Sequence, residues 1–235
     1  MSRCGPSAGT PRILYKWLMQ KIAVFIFICI LIASSNTACG QALPSCGSAG
    51  FSDPNEIAAV RKAPHGAKRI GKHTLEVNWA KGVQRFVDKG CTGVDIDGSC
   101  WQYCGYNSSL HIHQINHEED DLFTGVLLDD DSGKILPAGR AVIFSPDGKK
   151  YFASSQEDGK EFADWKVYSR DGTLLWEGDS GTVDEHDQIL AEFDDASWSS
   201  SGDLLTNSVD SVSGAKAALI LMQGTDKKWN WVKRK

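Results

Sequence analysis

The densest run of groups able to do chemistry is His111-Ile112-His113-Gln114-Ile115-Asn116-His117, followed at once by Glu118, Glu119, Asp120 and Asp121. Side chains alternate across a strand, so an extended segment puts His111 and His113 on one face. His117 joins them if the strand continues without a turn. Two or three imidazoles on one face, with Glu118 or Asp120 as an oxygen ligand, would make a divalent metal site of His111, His113 and His117. The same pattern suits an edge strand with solvated imidazoles that leads into an acidic hairpin, and no cofactor is implied elsewhere.

Other polar clusters are less complete. Asp95-Ile96-Asp97-Gly98-Ser99 and Asp129-Asp130-Asp131-Ser132-Gly133 resemble fragments of calcium loops, but neither has the full spacing that ends in a helical Glu. Asp184-Glu185-His186-Asp187 offers a carboxylate and a histidine without an activated Ser or Cys. Ser145, Ser169 and Ser199 read as turn residues, outside any Gly-x-Ser-x-Gly elbow. No catalytic residue is therefore assigned. Trp229 and Trp231 share a strand face beside Lys228, Lys233 and Arg234, which suits either an exposed ligand surface or core packing.

The elements that must position these groups are strands. Residues 72–79 alternate, Val83 to Val87 suits a strand or an amphipathic turn, and a short helix over Asn55 to Lys62 is possible behind Asp53 or Pro54. From Leu110 onward the signals are all strand and turn: Leu110 to Ile115, Leu122 to Leu128, Arg140 to Phe144, Tyr151 to Ser154, Trp165 to Tyr168, Thr173 to Trp176, Ile189 to Phe193, Leu204 to Asn207, Ala217 to Met222 and Trp229 to Val232. Asp-Gly and Ser-Gly turns between such runs predict an all-β domain of antiparallel sheets with repeated hairpins.

A weak internal repeat supports that class: Ile143-Phe144-Ser145-Pro146-Asp147-Gly148, then Val167-Tyr168-Ser169-Arg170-Asp171-Gly172, then Ser197-Trp198-Ser199-Ser200-Ser201-Gly202-Asp203. Each is an aromatic strand end, a polar turn and a following strand. The first and third copies resemble the strand-turn signature in blades of TolB-like and WD-type β-propellers, over Ile143 to Leu205. A blade takes about 40 residues, so at most four irregular blades fit. A β-sandwich, a meander or a small irregular propeller-like domain are the architectures expected. Trp101 to Tyr106, with the Phe-Ser-Pro-Asp-Gly and Gly-Thr-Leu-Leu-Trp segments, resembles small bacterial lipoproteins of uncharacterised type, a likeness that implies location rather than activity.

Residues 1–38 carry Arg3, Arg12, Lys16 and Lys21 and no acidic side chain, and an apolar run extends from Ile22 to Ala33. As a helix this run is about 18 Å long, short of the roughly 30 Å hydrocarbon core, and small residues follow it. That order is an export signal. Ala38-Cys39-Gly40 resembles the end of a bacterial lipobox, although Asn36 stands where an aliphatic is preferred. Gly40-Gln41-Ala42 offers ordinary signal peptidase a competing cut. The expected organisation is an export signal at 1–38, a flexible tether at 39–70, anchored if Cys39 is lipidated, and one all-β domain at 71–235. Cys46, Cys91, Cys100 and Cys104 then form an even set, read as two disulfides with a local bridge among the last three and Cys46 pinning the N-terminal arm.

Of the 25 Lys and Arg, four lie in the signal, so the remaining chain has 21 basic and 30 acidic side chains, a net charge of −9. That balance disfavours nucleic acid and anionic lipid surfaces as primary partners and leaves membrane contact through the lipid anchor only. Three classes remain for a periplasmic or outer-membrane-tethered protein. The first is a non-enzymatic binding domain for a protein or cell-envelope component. The second is a structural accessory subunit of an envelope complex, and the third a metal-dependent enzyme built on His111 and His113.

Overall fold

The computed structural model describes residues 40–44, 53–91, 98–120, 122–156, 162–186, 188–194, 196–225 and 228–234. The expected signal, Cys39, Cys46, Asp95 and Asp97 lie outside the described residues. The protein is an all-β domain of antiparallel sheets, as its turns and alternation predict. In chain order it runs β1 (Gln41–Ala42), α1 (Pro54–Arg61), β2 (Ala67–Ile70), β3 (Thr74–Trp79), β4 (Gly82–Val87), β5 (Ser99–Asn107), β6 (Ile112–Glu119), β7 (Leu122–Asp129) and β8 (Ile135–Gly139). It continues with β9 (Ala141–Phe144), β10 (Lys150–Ser155), β11 (Asp164–Ser169), β12 (Leu174–Asp179), β13 (Gly181–Val183), β14 (Ile189–Phe193), β15 (Ser197–Trp198), β16 (Leu204–Asp210), β17 (Lys216–Gln223) and β18 (Trp229–Lys233).

These strands form four sheets that follow one another along the chain: β2-β3-β4, then β5-β6-β7-β8, then β1-β9-β10-β11-β12, then β13-β14-β16-β17-β18 with β15 against β16. Each neighbouring pair shares one core. Leu75, Val77 and Phe86 of the first sheet meet Tyr103, Ile115 and Leu128 of the second. The opposite face of the second sheet, through Leu127, Leu136 and Ala138, meets Phe144, Tyr151 and Tyr168 of the third. The third sheet then turns Phe152, Trp165 and Val167 onto Trp198, Leu204 and Leu221 of the fourth. The two inner sheets are thus covered on both faces, and the first and fourth end the stack.

The repeat seen in the sequence is a repeated turn. Gly148, Gly172 and Gly202 all have positive φ, and their amides donate to the carbonyls of Ser145, Ser169 and Ser199, which no residue with a Cβ does as cheaply. Side chains complete each turn: Asp147 and Asp171 accept from the amides of Lys149 and Thr173, and the Asp203 amide donates to Ser199 Oγ.

Within the stretch 39–70, expected to be a tether, residues 40–44 and 53–70 are a correction, since they belong to the folded domain. Its described part supplies β1, α1 and β2, because its polar side chains have buried partners. Asp53 caps α1 by accepting from the Asn55 amide, and Glu56, one turn on, is buried. Cys91 pairs with Cys100, the local bridge expected. Cys104 is also disulfide-bonded, and its partner lies outside the described residues.

Candidate functional site

The histidine run divides differently from its expected faces. Asn107 accepts from the amides of Ser109 and Leu110 and turns the chain, so His111 falls in the turn at φ +53 and β6 begins after it. His111 is exposed, 3.2 Å from Asp131. His113 and His117 share the face of β6, which runs unbroken to Glu119. Both have their ring nitrogens engaged. His117 lies 2.6 Å from Ser99 Oγ and 3.2 Å from Thr124 Oγ1, and it stacks on Trp101. Burial pushes its pKa down against the opposing pull of Glu119 and Asp88. His111, His113 and His117 therefore do not converge, and among the described residues no cluster of three or more His, Cys, Asp or Glu is arranged to hold a metal ion.

His113 instead centres a hydrogen-bonded chain. Its Nδ1 lies 2.9 Å from the Tyr103 hydroxyl and its Nε2 3.0 Å from Asp130 Oδ1. The second Asp130 oxygen accepts from His65 at 3.1 Å and from the Tyr106 hydroxyl at 3.4 Å. Tyr103 and His113 are wholly buried, whereas the His65 side chain is 43% exposed. Burial lowers the His113 pKa and outweighs Asp130, so the ring is neutral, accepts from Tyr103 and donates to Asp130. Burial opposes ionisation of Asp130, but His113 and His65 outweigh it and hold its carboxyl below the usual range. The second calcium-loop candidate is thereby spent on the fold: Asp130 serves His113, and Asp129 accepts from the Ser132 amide and hydroxyl.

A second polar cluster seals β5, the edge of its sheet. Lys89 exchanges both backbone hydrogen bonds with Ser99. The next outward amides, of Trp101 and Tyr103, donate to the carboxylates of Asp88 and Glu56 at 2.8 and 2.9 Å. Arg69 bridges the two acids, bidentate on Glu56 and 2.7 Å from Asp88, and also donates to the Trp101 carbonyl. The strand edge is paired by side chains in place of a fourth strand. Burial raises the Glu56 pKa despite Arg69, which marks the cost of enclosing a carboxylate there.

Concave places also occur among the described residues. Between β5, β6 and β7, Gln102, Asn116, Glu118, Phe123 and Arg140 line a cavity of about 10 Å³, room for one water. Gln102 spends its amide nitrogen on Asp53, and its buried carbonyl oxygen has no protein partner. A groove of about 410 Å³, in the size range of small-molecule sites, lies between the β7–β8 and β11–β12 turns. Its charges are mutually engaged: Arg170 with Asp129 at 3.0 Å, and Lys134 with the Asp171 carbonyl at 2.7 Å.

Trp229 and Trp231 are partly buried rather than a free platform. Trp231 packs edge-on to Trp165, Trp176 and Phe193 and helps join the third and fourth sheets. A partly exposed apolar row lies on the other side of the same sheet. Leu205, Ile220 and Val232 face one another across β16, β17 and β18, with Met222 beside them and Asn207, Lys216 and Asn230 around them. Val232 and Met222 are 46% and 49% exposed. At the other end of the stack, the corresponding central row is Lys68–Glu76–Arg85, two ion pairs of 3.0 and 2.9 Å that separate Val83 from Ile70 and Val87. Sequence reasoning placed β16, β17 and β18 correctly. The alternation of Leu205 with Leu204 and of Ile220 with Leu219 and Leu221 carried the signal of a sheet apolar on both faces. Comparison with protein-family models, with curated proteins and with solved structures finds no match.

Proposed function

We propose that this chain is a non-enzymatic binding protein of the bacterial cell envelope, exported and tethered by a lipid on Cys39, that takes a protein or envelope component on the outer face of its last sheet. The observation that carries the reading is the contrast between the two ends of the stack. A terminal sheet exposed only to water is normally closed by a polar face, as the Lys68–Glu76–Arg85 row closes the first sheet. The last sheet ends in the apolar Leu205–Ile220–Val232 row with a polar border, the pattern of an interaction surface. The succession of antiparallel meanders with a common turn supports a distant relation to propeller blades, and the paired disulfides suit an oxidising compartment.

Ile220→Glu and Val232→Glu test the reading. Each places a carboxylate in the row without touching the core, so the unfolding midpoint should stay within about 3 °C of the parent. Cross-linking in the native host should capture one stoichiometric envelope component with the parent and lose it with either variant. Capture undiminished by both substitutions would move the binding site off this face.

A further inference from the structure

Two cleavage positions compete at the N-terminus, after Ala38 and after Ala42, and the fold distinguishes them. Gln41 and Ala42 are β1, which extends the third sheet by pairing with Phe144 and Ile143 of β9. Leu43, next in the chain, is buried in the core shared by the second and third sheets and donates its amide to Val142 at 3.0 Å. Ser109 Oγ donates to Gln41 Oε1 at 2.7 Å, which ties β1 to the β5–β6 turn. Gly40 is the tightest point. A Cβ there would stand 2.8 Å from the Phe144 carbonyl oxygen and 2.9 Å from Trp198 Cδ1, so a side chain at 40 would displace backbone or indole.

We infer that the export signal is removed between Ala38 and Cys39, and that the mature chain enters the third sheet one residue later, with no flexible spacer between its N-terminus and the folded domain. This rests on the exported reading above. Water adds across the Ala38–Cys39 peptide bond, leaving a carboxylate on Ala38 and an amine on Cys39. A cut after Ala42 would discard Gly40, Gln41 and Ala42, unpair β9 along that edge and leave one side of Trp198 uncovered. The peptidase meets the chain before it folds, so the fold acts through what it retains and not by shielding a bond.

The test is the N-terminal sequence and intact mass of the protein from its native host, together with thermal unfolding of two purified forms that begin at Gly40 and at Leu43. A first residue of Cys39, and a midpoint at least about 5 °C lower for the form beginning at Leu43, are the results expected. A native chain that starts at Leu43 would overturn the inference together with the lipid tether on Cys39 while leaving export intact, and two forms of equal midpoint would overturn the inference alone. A native chain that still carries residues 1–38 would instead overturn the exported reading itself. Gly40→Val, which keeps the cut and strains the contact with Trp198, should lower the midpoint in the full mature chain, and an unchanged midpoint would count against the spacer-free entry.

Discussion

At the residue scale, His113 shows how a side chain that suggests metal chemistry becomes structural once its neighbours are fixed. Both nitrogens are committed, one to a phenol and one to a carboxylate, and the ring is wholly buried. His113→Ala strands the Tyr103 hydroxyl and one Asp130 oxygen and opens a cavity, for an expected loss of about 3 kcal/mol in urea unfolding at pH 8. The pH dependence follows from the depressed histidine pKa. The folded state keeps the ring neutral while the unfolded chain binds a proton near pH 6.5, so the contribution is present above that pH and is lost as the pH falls below it. Stability should decline between pH 7 and 5, and His113→Ala should decline less over the same range. An equal slope in the two proteins would place the acid sensitivity elsewhere. Alternation already put His113 and His117 on one face of a continuous strand, but it did not reveal the Asn107 turn that removes His111 from that strand.

At the element scale, α1 and β2 are held as a clasp on the edge of β5 by Glu56, Arg69 and Asp88. An isolated eight-residue helix has little stability of its own. What fixes it is burial of Glu56 against the Tyr103 amide and the guanidinium that neutralises it. Arg69→Met leaves two enclosed carboxylates without a cation and should cost about 3–5 kcal/mol. Arg69→Lys should recover little of that loss, since one ammonium cannot span Glu56, Asp88 and the Trp101 carbonyl together. Equilibrium unfolding of both variants is the check, and full rescue by Lys would reduce the bridge to simple charge balance. The helix itself was legible from Asp53 and Pro54. Its partners were not, because Glu56, Arg69 and Asp88 are separated along the chain by turns with no pairing signal. β5 was missed as a strand for a related reason: Ser99 to Asn107 mixes Cys, Gln and Gly on the face that meets other polar groups, so no clean alternation marks it.

At the scale of the whole molecule, the four sheets share cores only with their chain neighbours, so stability should be graded along the stack rather than uniform. The inner strands β6, β7, β10 and β11 are paired on both sides and covered on both faces, and opening them exposes two cores at once. The fourth sheet has one shared core, and β18 is one of its two edge strands. This gradation follows from strand order, which local sequence does not encode. The turn repeat and the dense strand signals made the sheets legible, but which face of each sheet met which neighbour depended on residues as distant in the chain as Leu43 and Tyr168 sharing one core. Native-state hydrogen exchange should find the amides of β6, β7, β10 and β11 open only by global unfolding, with β17 and β18 exchanging through a smaller opening. Trp231→Ala removes the indole that meets Trp165, Trp176 and Phe193, and truncations of this kind cost about 3–5 kcal/mol. Its effect should be largest on β17 and β18, whereas Tyr151→Ala, in the core between the inner sheets, should lower protection in every sheet. If Trp231→Ala instead lowers the protection of β6 as much as that of β18, the stack unfolds as one cooperative unit, and the outer apolar face cannot act as a separately yielding surface when a partner binds.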